Sequence, residues 1–323
     1  MKRPEIHFID YSQVQFNDLA LELYLYQYAH NGIYQAYCDL IHKTPSEVKV
    51  FEDIPFLPIS FFKSHQVVCA DGVPKHTLTF RSSGTTKTTE RSAHYVLDPD
   101  LYRESFEKSF RQAYGSHTDY RILALLPSYQ EQSNSSLIYM VDQLMSEAKD
   151  GSRYITLEDD FDALFQTNEK TLLIGVTFAL LDLAERFKQP LHNTIIMETG
   201  GMKGRRKELV RAEVHALLKD AFSVNQIHSE YGMTELLSQA YAKEDGRFNC
   251  PPWMRIRIRE TEDPFSYCPT GRTGAINVID FANLNSCSFI ATDDLGRVQA
   301  DGSFEVIGRF DHAETRGCNL MMA

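Results

Sequence analysis

Four short apolar runs, at residues 122–126, 172–176, 195–197 and 224–227, recur between longer stretches of helical spacing. This alternation limits the fold more than any other feature of the chain. Short, unbroken apolar runs are what strands buried on both faces look like. Between them, residues 101–114 place Leu101, Ser105, Phe106, Ser109, Phe110 and Ala113 at helical intervals, and 137–145 and 178–187 read as further helices. A helix over 208–222 is expected to bury Val210, Val214, Leu217 and Ala221 on one stripe. Strand, loop, helix, strand is the order of an α/β domain with a largely parallel sheet. Ligands of such sheets sit at the carboxyl ends of the strands. Three polar loops, at 82–87, 199–204 and 228–235, follow predicted strands, the first of them a strand at 78–81, and a helix is expected to start near Thr234.

The flanks read differently. The first 45 residues look helical, with Phe16, Leu19, Leu23 and Tyr26 in register and a break at Asn17 or Asn31. Pro45, Pro55 and Pro58 then punctuate a stretch holding Phe51, Phe56, Phe61 and Phe62, which serves either as ordinary core under a loop or as the wall of an apolar pocket. From Trp253 onward, Arg255-Ile256-Arg257-Ile258-Arg259 alternates strictly, as does much of 275–281, so antiparallel strands with one wet face are expected in a small β-rich subdomain.

Bulk properties exclude several function classes. A chain of 323 residues is one large domain or two ordinary ones. The net charge of −11 argues against a groove that tracks nucleic-acid phosphates. It does not argue against ATP, which a few local donors can hold. The six cysteines, Cys38, Cys69, Cys250, Cys268, Cys287 and Cys318, form no Cys-x-x-Cys pair and read as free thiols rather than as a zinc site. No apolar core follows the charged N-terminus, and no run approaches a membrane span, so cytoplasm is the expected location.

Three segments carry candidate chemistry. Ser82-Ser83-Gly84-Thr85-Thr86-Lys87 belongs to a stretch with six hydroxyl side chains, one glycine and one lysine over 80–89. Glycine lets backbone N–H groups turn toward an anion, hydroxyls add donors and lysine adds charge, a composition suited to polyphosphate. Taken singly it also reads as a solvated turn, and it is not a P-loop. His228-Ser229-Glu230-Tyr231-Gly232-Met233-Thr234-Glu235 offers a ring for a base, a hydroxyl for a phosphate and a carboxylate for Mg²⁺, or simply a helix start whose acidic residue complements the dipole. Asp294, followed by Gly308-Arg309-Phe310-Asp311, fits either ribose hydroxyls or plain hairpin turns.

In that order the three resemble the motifs of the adenylate-forming superfamily of acyl-CoA synthetases, luciferases and peptide-synthetase adenylation domains, over roughly residues 75–318. Glu230 to Glu235 looks like the Tyr-Gly-x-Thr-Glu motif and Gly308 to Asp311 like the hinge. Within the superfamily, three stretches resemble the LuxE-type acyl-protein synthetases, relatives of phenylacetate-CoA ligases. These are Leu125-Leu126-Pro127-Ser128-Tyr129 with Ser135 to Met140, Glu198-Thr199-Gly200-Gly201-Met202-Lys203-Gly204-Arg205-Arg206, and Arg316-Gly317-Cys318-Asn319-Leu320.

The resemblance implies an α/β large N-terminal domain over 1–317. Its α/β part would span 1–250 and its β-rich subdomain 251–310, with a hinge-like stub and tail at 311–323 and no C-terminal lid or lid lysine. Lys203 and Lys87 are available as substitutes. The implied reaction is ATP-dependent, Mg²⁺-assisted conversion of a carboxylic acid to acyl-AMP. Ser82, Ser83, Gly84, Thr85, Thr86 and Lys87 would hold the outer phosphates, and Gly200, Gly201, Glu230, Gly232 and Met233 would surround the nucleotide. Tyr231 would pack on the adenine, Thr234 meet the α-phosphate, Glu235 hold the metal, and Asp294 and Arg309 bind the ribose side. Tyr129, Ser133, Met202 and His228 would line the acid pocket, with His228 equally read as a hydrogen-bonded structural histidine. A fatty acid is expected, and Cys318, beside Arg316, would accept the acyl group and pass it to a partner acyl reductase. The alternatives are an acid–CoA ligase and a non-catalytic nucleotide-binding subunit of a reductase complex.

Overall fold

The computed structural model describes residues 2–82, 91–127, 134–200 and 209–309. Two helices open the chain, α1 (Gln13–His30) and α2 (Gly32–Leu40). Ser12 caps α1 through a reciprocal box with Gln15. Asn31 is the break between the helices. Its backbone N–H closes α1 on Gln27, and its side chain accepts from the amides of Ile33 and Tyr34 to start α2, whereas Asn17 lies inside α1.

Next come β1 (Leu57–Pro58), α3 (Phe61–Ser64), and the hairpin of β2 (Leu78–Arg81) and β3 (Ala93–Val96). The middle of the chain alternates as α4 (Pro99–Tyr114), β4 (Arg121–Leu125), α5 (Ser136–Glu147), β5 (Arg153–Tyr154), α6 (Phe161–Phe165), β6 (Thr171–Gly175), α7 (Thr177–Arg186), β7 (Thr194–Glu198), α8 (Arg211–Phe222) and β8 (His228–Tyr231). The C-terminal part is all strand: β9 (Ala240–Ala242), β10 (Arg247–Asn249), β11 (Met254–Arg259), β12 (Gly274–Asp280), β13 (Phe289–Val298) and β14 (Phe304–Arg309).

One mixed sheet runs in the order β11-β12-β13-β14-β10-β9-β8-β7-β6-β4-β5, with β1 parallel to β13 at its side. Pairing is parallel from β5 to β8 and antiparallel from β9 onward. The expected strands at β4, β6 and β7 are present, and every residue of β4 and β6 is buried, as continuous apolar runs require. Among the described residues no helix is long and apolar enough to cross a membrane.

Four expectations are corrected. The fourth parallel strand is not 224–227 but His228–Tyr231. Ser223 ends α8 in a left-handed conformation, and the chain enters the sheet only after Ile227. No helix begins at Thr234. The amides of Leu237 and Ser238 donate instead to Asp280, each at 2.9 Å, and Leu237 also to Asn283, so side chains satisfy the backbone that a helix would have satisfied. On α8 the buried residues are Val214, His215, Leu218, Ala221 and Phe222, while Val210 and Leu217 face outward, so the true stripe is turned from the expected one. The wet face is absent too. β12 is buried at all seven positions, and the arginines of β11 lie on aromatic rings, Arg255 over Phe16 and Arg257 over Tyr267, each at 3.6 Å. Arg259 is buried and donates to the carbonyls of Ile276 and Thr292 and to Asn277.

Candidate functional site

The candidate segments follow the carboxyl ends of β2, in its own two-stranded sheet, and of β7 and β8, neighbours in the large sheet. Ser82 leaves β2 bonded to Ser92. Its amide donates to the Ser92 carbonyl (3.0 Å), and its Oγ accepts the Ser92 amide (3.1 Å). Ser83, Gly84, Thr85, Thr86 and Lys87 lie outside the described residues. The Ser92 side chain, at the root of that segment, acts on the Glu235 carboxyl and favours its charged form. On the other side, the Arg81 amide donates to the Asn134 carbonyl (2.8 Å), next to the segment holding Tyr129 and Ser133, which are also outside the described residues.

Thr234 is half-exposed and Glu235 buried. Burial raises the Glu235 carboxyl above its ordinary range, opposed by the Ser92 hydroxyl and by the charges of Arg309 and Lys63. Asp280 and Asn283 hold the turn that follows. Asp280 accepts from the amides of Leu237, Ser238 and Ala282 and from the Ser238 hydroxyl, while Asn283 Nδ2 donates to the Glu235 carbonyl (2.8 Å). Burial moves the Asp280 carboxyl up to about 6. Neither residue was expected at the site, and no local pattern marks them, since they reach the turn from more than forty residues away.

Tyr231, Asp294 and Arg309 meet. The Tyr231 hydroxyl donates to Asp294 Oδ2 (2.9 Å), and Arg309 Nε lies 3.7 Å from Asp294 Oδ1, across the register of β13 and β14. The Tyr231 ring is buried between Phe248 and Phe304, with centroids at 5.8 and 5.4 Å.

Glu198 ends β7 with a full set of partners. It accepts from the Thr177 hydroxyl (2.9 Å), the Gly200 amide (2.7 Å) and Arg211 Nε (3.1 Å), with His215 Nε2 at 3.7 Å. Burial acts to raise this carboxyl, but His215, Arg211, Ser229 and the Gly200 amide outweigh it and hold it at about 2. Gly200 turns with φ +74°, a conformation that disfavours side chains, while Gly201 and Met202 lie outside the described residues. Arg211 continues to the Val306 carbonyl (3.0 Å) and over the Phe248 ring, joining the start of α8 to β14.

Glu230, on the neighbouring strand, is pushed up to about 8, by burial first and then by the charge of Glu198. Its carboxyl folds over Gly232, where an added Cβ would lie 2.4 Å from Oε1. Met233 is half-exposed, and its carbonyl accepts the Leu236 amide. His228 is half-buried with Nδ1 3.2 Å from the Tyr114 hydroxyl, and burial, reinforced by Lys243 and His215, pushes it down to about 4. That is the environment of a structural histidine. Cys318 lies outside the described residues, and the five described cysteines are free thiols.

Comparison with known proteins identifies the fold. Solved structures with the same fold include ATP-bound MatB from Rhodopseudomonas palustris, with a TM-score of 0.53 and 17% identity over 72% of this chain and 47% of that one. An ATP-bound RpMatB-BxBclM chimera gives 0.54 at 17% identity with the same coverage. A 2-hydroxyisobutyryl-CoA ligase bound to 2-HIB-AMP and CoA gives 0.68 at 14% identity over 94% of this chain and 70% of that one. The chain thus has the fold of the large domain of adenylate-forming enzymes, and it spans about half the length of the first two structures. None of the curated proteins matches its sequence. The sequence model described as acyl-protein synthetase, LuxE, matches residues 130–323, more than half of the chain, and the protein belongs to the LuxE acyl-protein synthetase family.

Proposed function

We propose that this chain joins ATP to a carboxylic acid, releases pyrophosphate, and passes the acyl group of the resulting acyl-adenylate to a thiol. One observation carries the reading. The Thr234 carbonyl lies 2.9 Å from His94 Nδ1, two residues beyond the Ser92 that pairs with Ser82 at the root of the hydroxyl-rich segment, while Tyr231, three residues before Thr234, joins the same motif to Asp294. On this reading the phosphates and the ribose would both be met from one short motif.

In the first step a carboxylate oxygen of the acid attacks the α-phosphorus, and the bond to the β-phosphate breaks. Charge neutralisation and alignment do most of this work. Ser82 and the residues to Lys87 would steady the leaving pyrophosphate, and Thr234, open to solvent on one side, would meet the α-phosphate. Asp294 and Arg309 would take the ribose, and Gly200, Gly201, Glu230, Gly232 and Met233 would border the adenine. The buried ring of Tyr231 favours a role in holding Asp294 over one in stacking on the base. Glu235 suits Mg²⁺, which needs one or two carboxylates and completes its shell with phosphate oxygens and water. Bound there, the ion would neutralise charge on the phosphates.

The acid pocket would form from Tyr129, Ser133 and Met202, with His228 behind it as a structural neighbour of Tyr114. In the second step the Cys318 thiolate attacks the acyl carbon, AMP leaves, and a thioester forms that a partner acyl reductase can take up. Fatty acids are the proposed substrates.

Pyrophosphate release with ATP, Mg²⁺ and a panel of fatty and aromatic acids tests the first step. Intact-mass measurement tests the second. An acyl increment on the wild type that is absent from Cys318→Ser is expected. Acyl-CoA formed with unmodified protein would replace the cysteine step by the CoA-ligase reading, and ATP binding without pyrophosphate from any acid would leave only a binding subunit.

A further inference from the structure

His94 follows Ser92 by two residues at the start of β3, so in extended chain both side chains leave the same face. The His94 side chain is completely buried. Its Nδ1 lies 2.9 Å from the backbone carbonyl of Thr234 and its Nε2 2.8 Å from the Ser286 hydroxyl, and the Phe62 ring meets it edge-on at 5.5 Å. A carbonyl oxygen only accepts, so Nδ1 must carry the proton. Nε2 is then bare and takes the Ser286 hydroxyl as donor. Burial holds the imidazole down near 4 even though the Thr234 carbonyl favours its charged form, so both roles persist at neutral pH. Ser286 is itself fixed, since its carbonyl accepts from buried Asn31 Nδ2 (2.9 Å) and its amide donates to the Asn283 carbonyl (2.9 Å).

We propose that His94 is a positioning residue for adenylation: bonded to the Thr234 carbonyl, two residues after the Ser92 that pairs with Ser82, it sets the Thr-Glu pair relative to the root of the hydroxyl-rich segment. The inference rests on the reading that Thr234 and Glu235 act on ATP. It adds that their alignment comes from β3, through a histidine that touches neither nucleotide nor acid. The chain from Asn31 through Ser286 to His94 also gives the N-terminal helices a part in that alignment.

Two amide substitutions separate the functions of the ring. His94→Asn places an N–H donor near the position of Nδ1, and His94→Gln places its amide near Nε2. In acid-dependent ATP–pyrophosphate exchange, H94Q is expected to lose on the order of a hundredfold in kcat, the scale of a misplacement of about 1 Å, with KM for the acid unchanged. H94N should stay within several-fold of wild type, while thermal melting of the two variants falls alike. Equal exchange by H94N and H94Q, or losses that track melting temperature, would overturn the inference. Absence of exchange by the wild type would refute the functional reading instead. Nitrogen-15 spectra of the wild type then decide on His94 alone: a neutral ring protonated at Nδ1 supports the bond to Thr234, and one protonated at Nε2 overturns it.

Discussion

Glu198 and Glu230 stand on adjacent parallel strands, are buried to a similar degree, and behave in opposite ways. At the end of β7, Glu198 has a guanidinium, a hydroxyl and an amide on its oxygens and an imidazole nearby, and stays ionised far below neutrality. On β8, Glu230 sits within the field of Tyr102, Tyr114 and Tyr241, has no cation from the described residues among the charges acting on it, and holds its proton up to about 8. The difference teaches how a chain of net charge −11 can offer a polyanion site. One of the two carboxylates is neutralised by Arg211. The other is neutralised by its own proton, because desolvation and the charge next door make ionisation expensive. Neither would then repel the phosphates of ATP bound as proposed.

The largest expected effect comes from removing the paired carboxylate. Glu198→Ala leaves Arg211 and His215 facing each other without an anion and strips the Gly200 amide of its acceptor. Breaking a buried pair from one side typically destabilises by about 3–5 kcal/mol. A urea unfolding curve should show a loss of that order, together with loss of ATP binding as the Gly200 turn relaxes. A change under about 1 kcal/mol would mean that Arg211 simply turns to solvent, and the contrast with Glu230 would collapse.

The pH dependence of stability sharpens the same contrast, and the two signs differ. For Glu198, depressed from 4.5 to about 2, the contribution is present above the unfolded value and is lost as pH falls from 4.5 toward 2. For Glu230, raised from 4.5 to about 8, stability is fully present below 4.5 and declines as pH rises toward 8, because the unfolded carboxyl ionises freely and the folded one does not. Glu230→Gln keeps the shape and removes the titration. At pH 8 it should be more stable than wild type, by on the order of a few kcal/mol, with the gain vanishing near pH 4. Denaturation midpoints at several pH values check this. A gain independent of pH would assign the effect to packing rather than to charge.

The parts of this picture that sequence made legible were those where hydropathy and burial coincide. β4, β6 and β7 are apolar and buried, and their boundaries came within two residues. β8 escaped because His228-Ser229-Glu230-Tyr231 is polar. Its burial depends on partners from α4 and α8, such as Tyr114 for His228 and His215 for Ser229, which no local pattern announces. The arginines of β11 misled for a related reason, since a planar guanidinium stacks on a ring as readily as it faces water. At the site, the motifs named Glu235, Tyr231, Asp294 and Arg309, and the fold brings Tyr231 to Asp294 and Asp294 to Arg309. The residues that bond the backbone around them, His94 at Thr234, Glu198 at Gly200, Asp280 at Leu237 and Asn283 at Glu235, act across strands and helices and carry no motif of their own.

Asp294 is a third carboxylate, raised like Glu230 but with an arginine beside it like Glu198. Burial raises it, the Tyr231 hydroxyl bond and the Arg309 charge oppose the rise, and its side chain remains 13% exposed. Tyr231→Phe removes the nearer support and leaves the ring packed on Phe248 and Phe304. The stability loss should be small, about 1 kcal/mol, the usual net worth of one hydrogen bond. The informative change is elsewhere. Without the donated hydroxyl, Asp294 should shift further upward, toward the behaviour of Glu230. As the proposed acceptor for the ribose hydroxyls it would then lose its charge sooner on acidification, so KM for ATP should begin to climb at a higher pH in the variant than in the wild type. Matching KM profiles would show that Arg309 alone keeps Asp294 ionised, and would make the Tyr231 hydroxyl a matter of fold rather than of nucleotide binding.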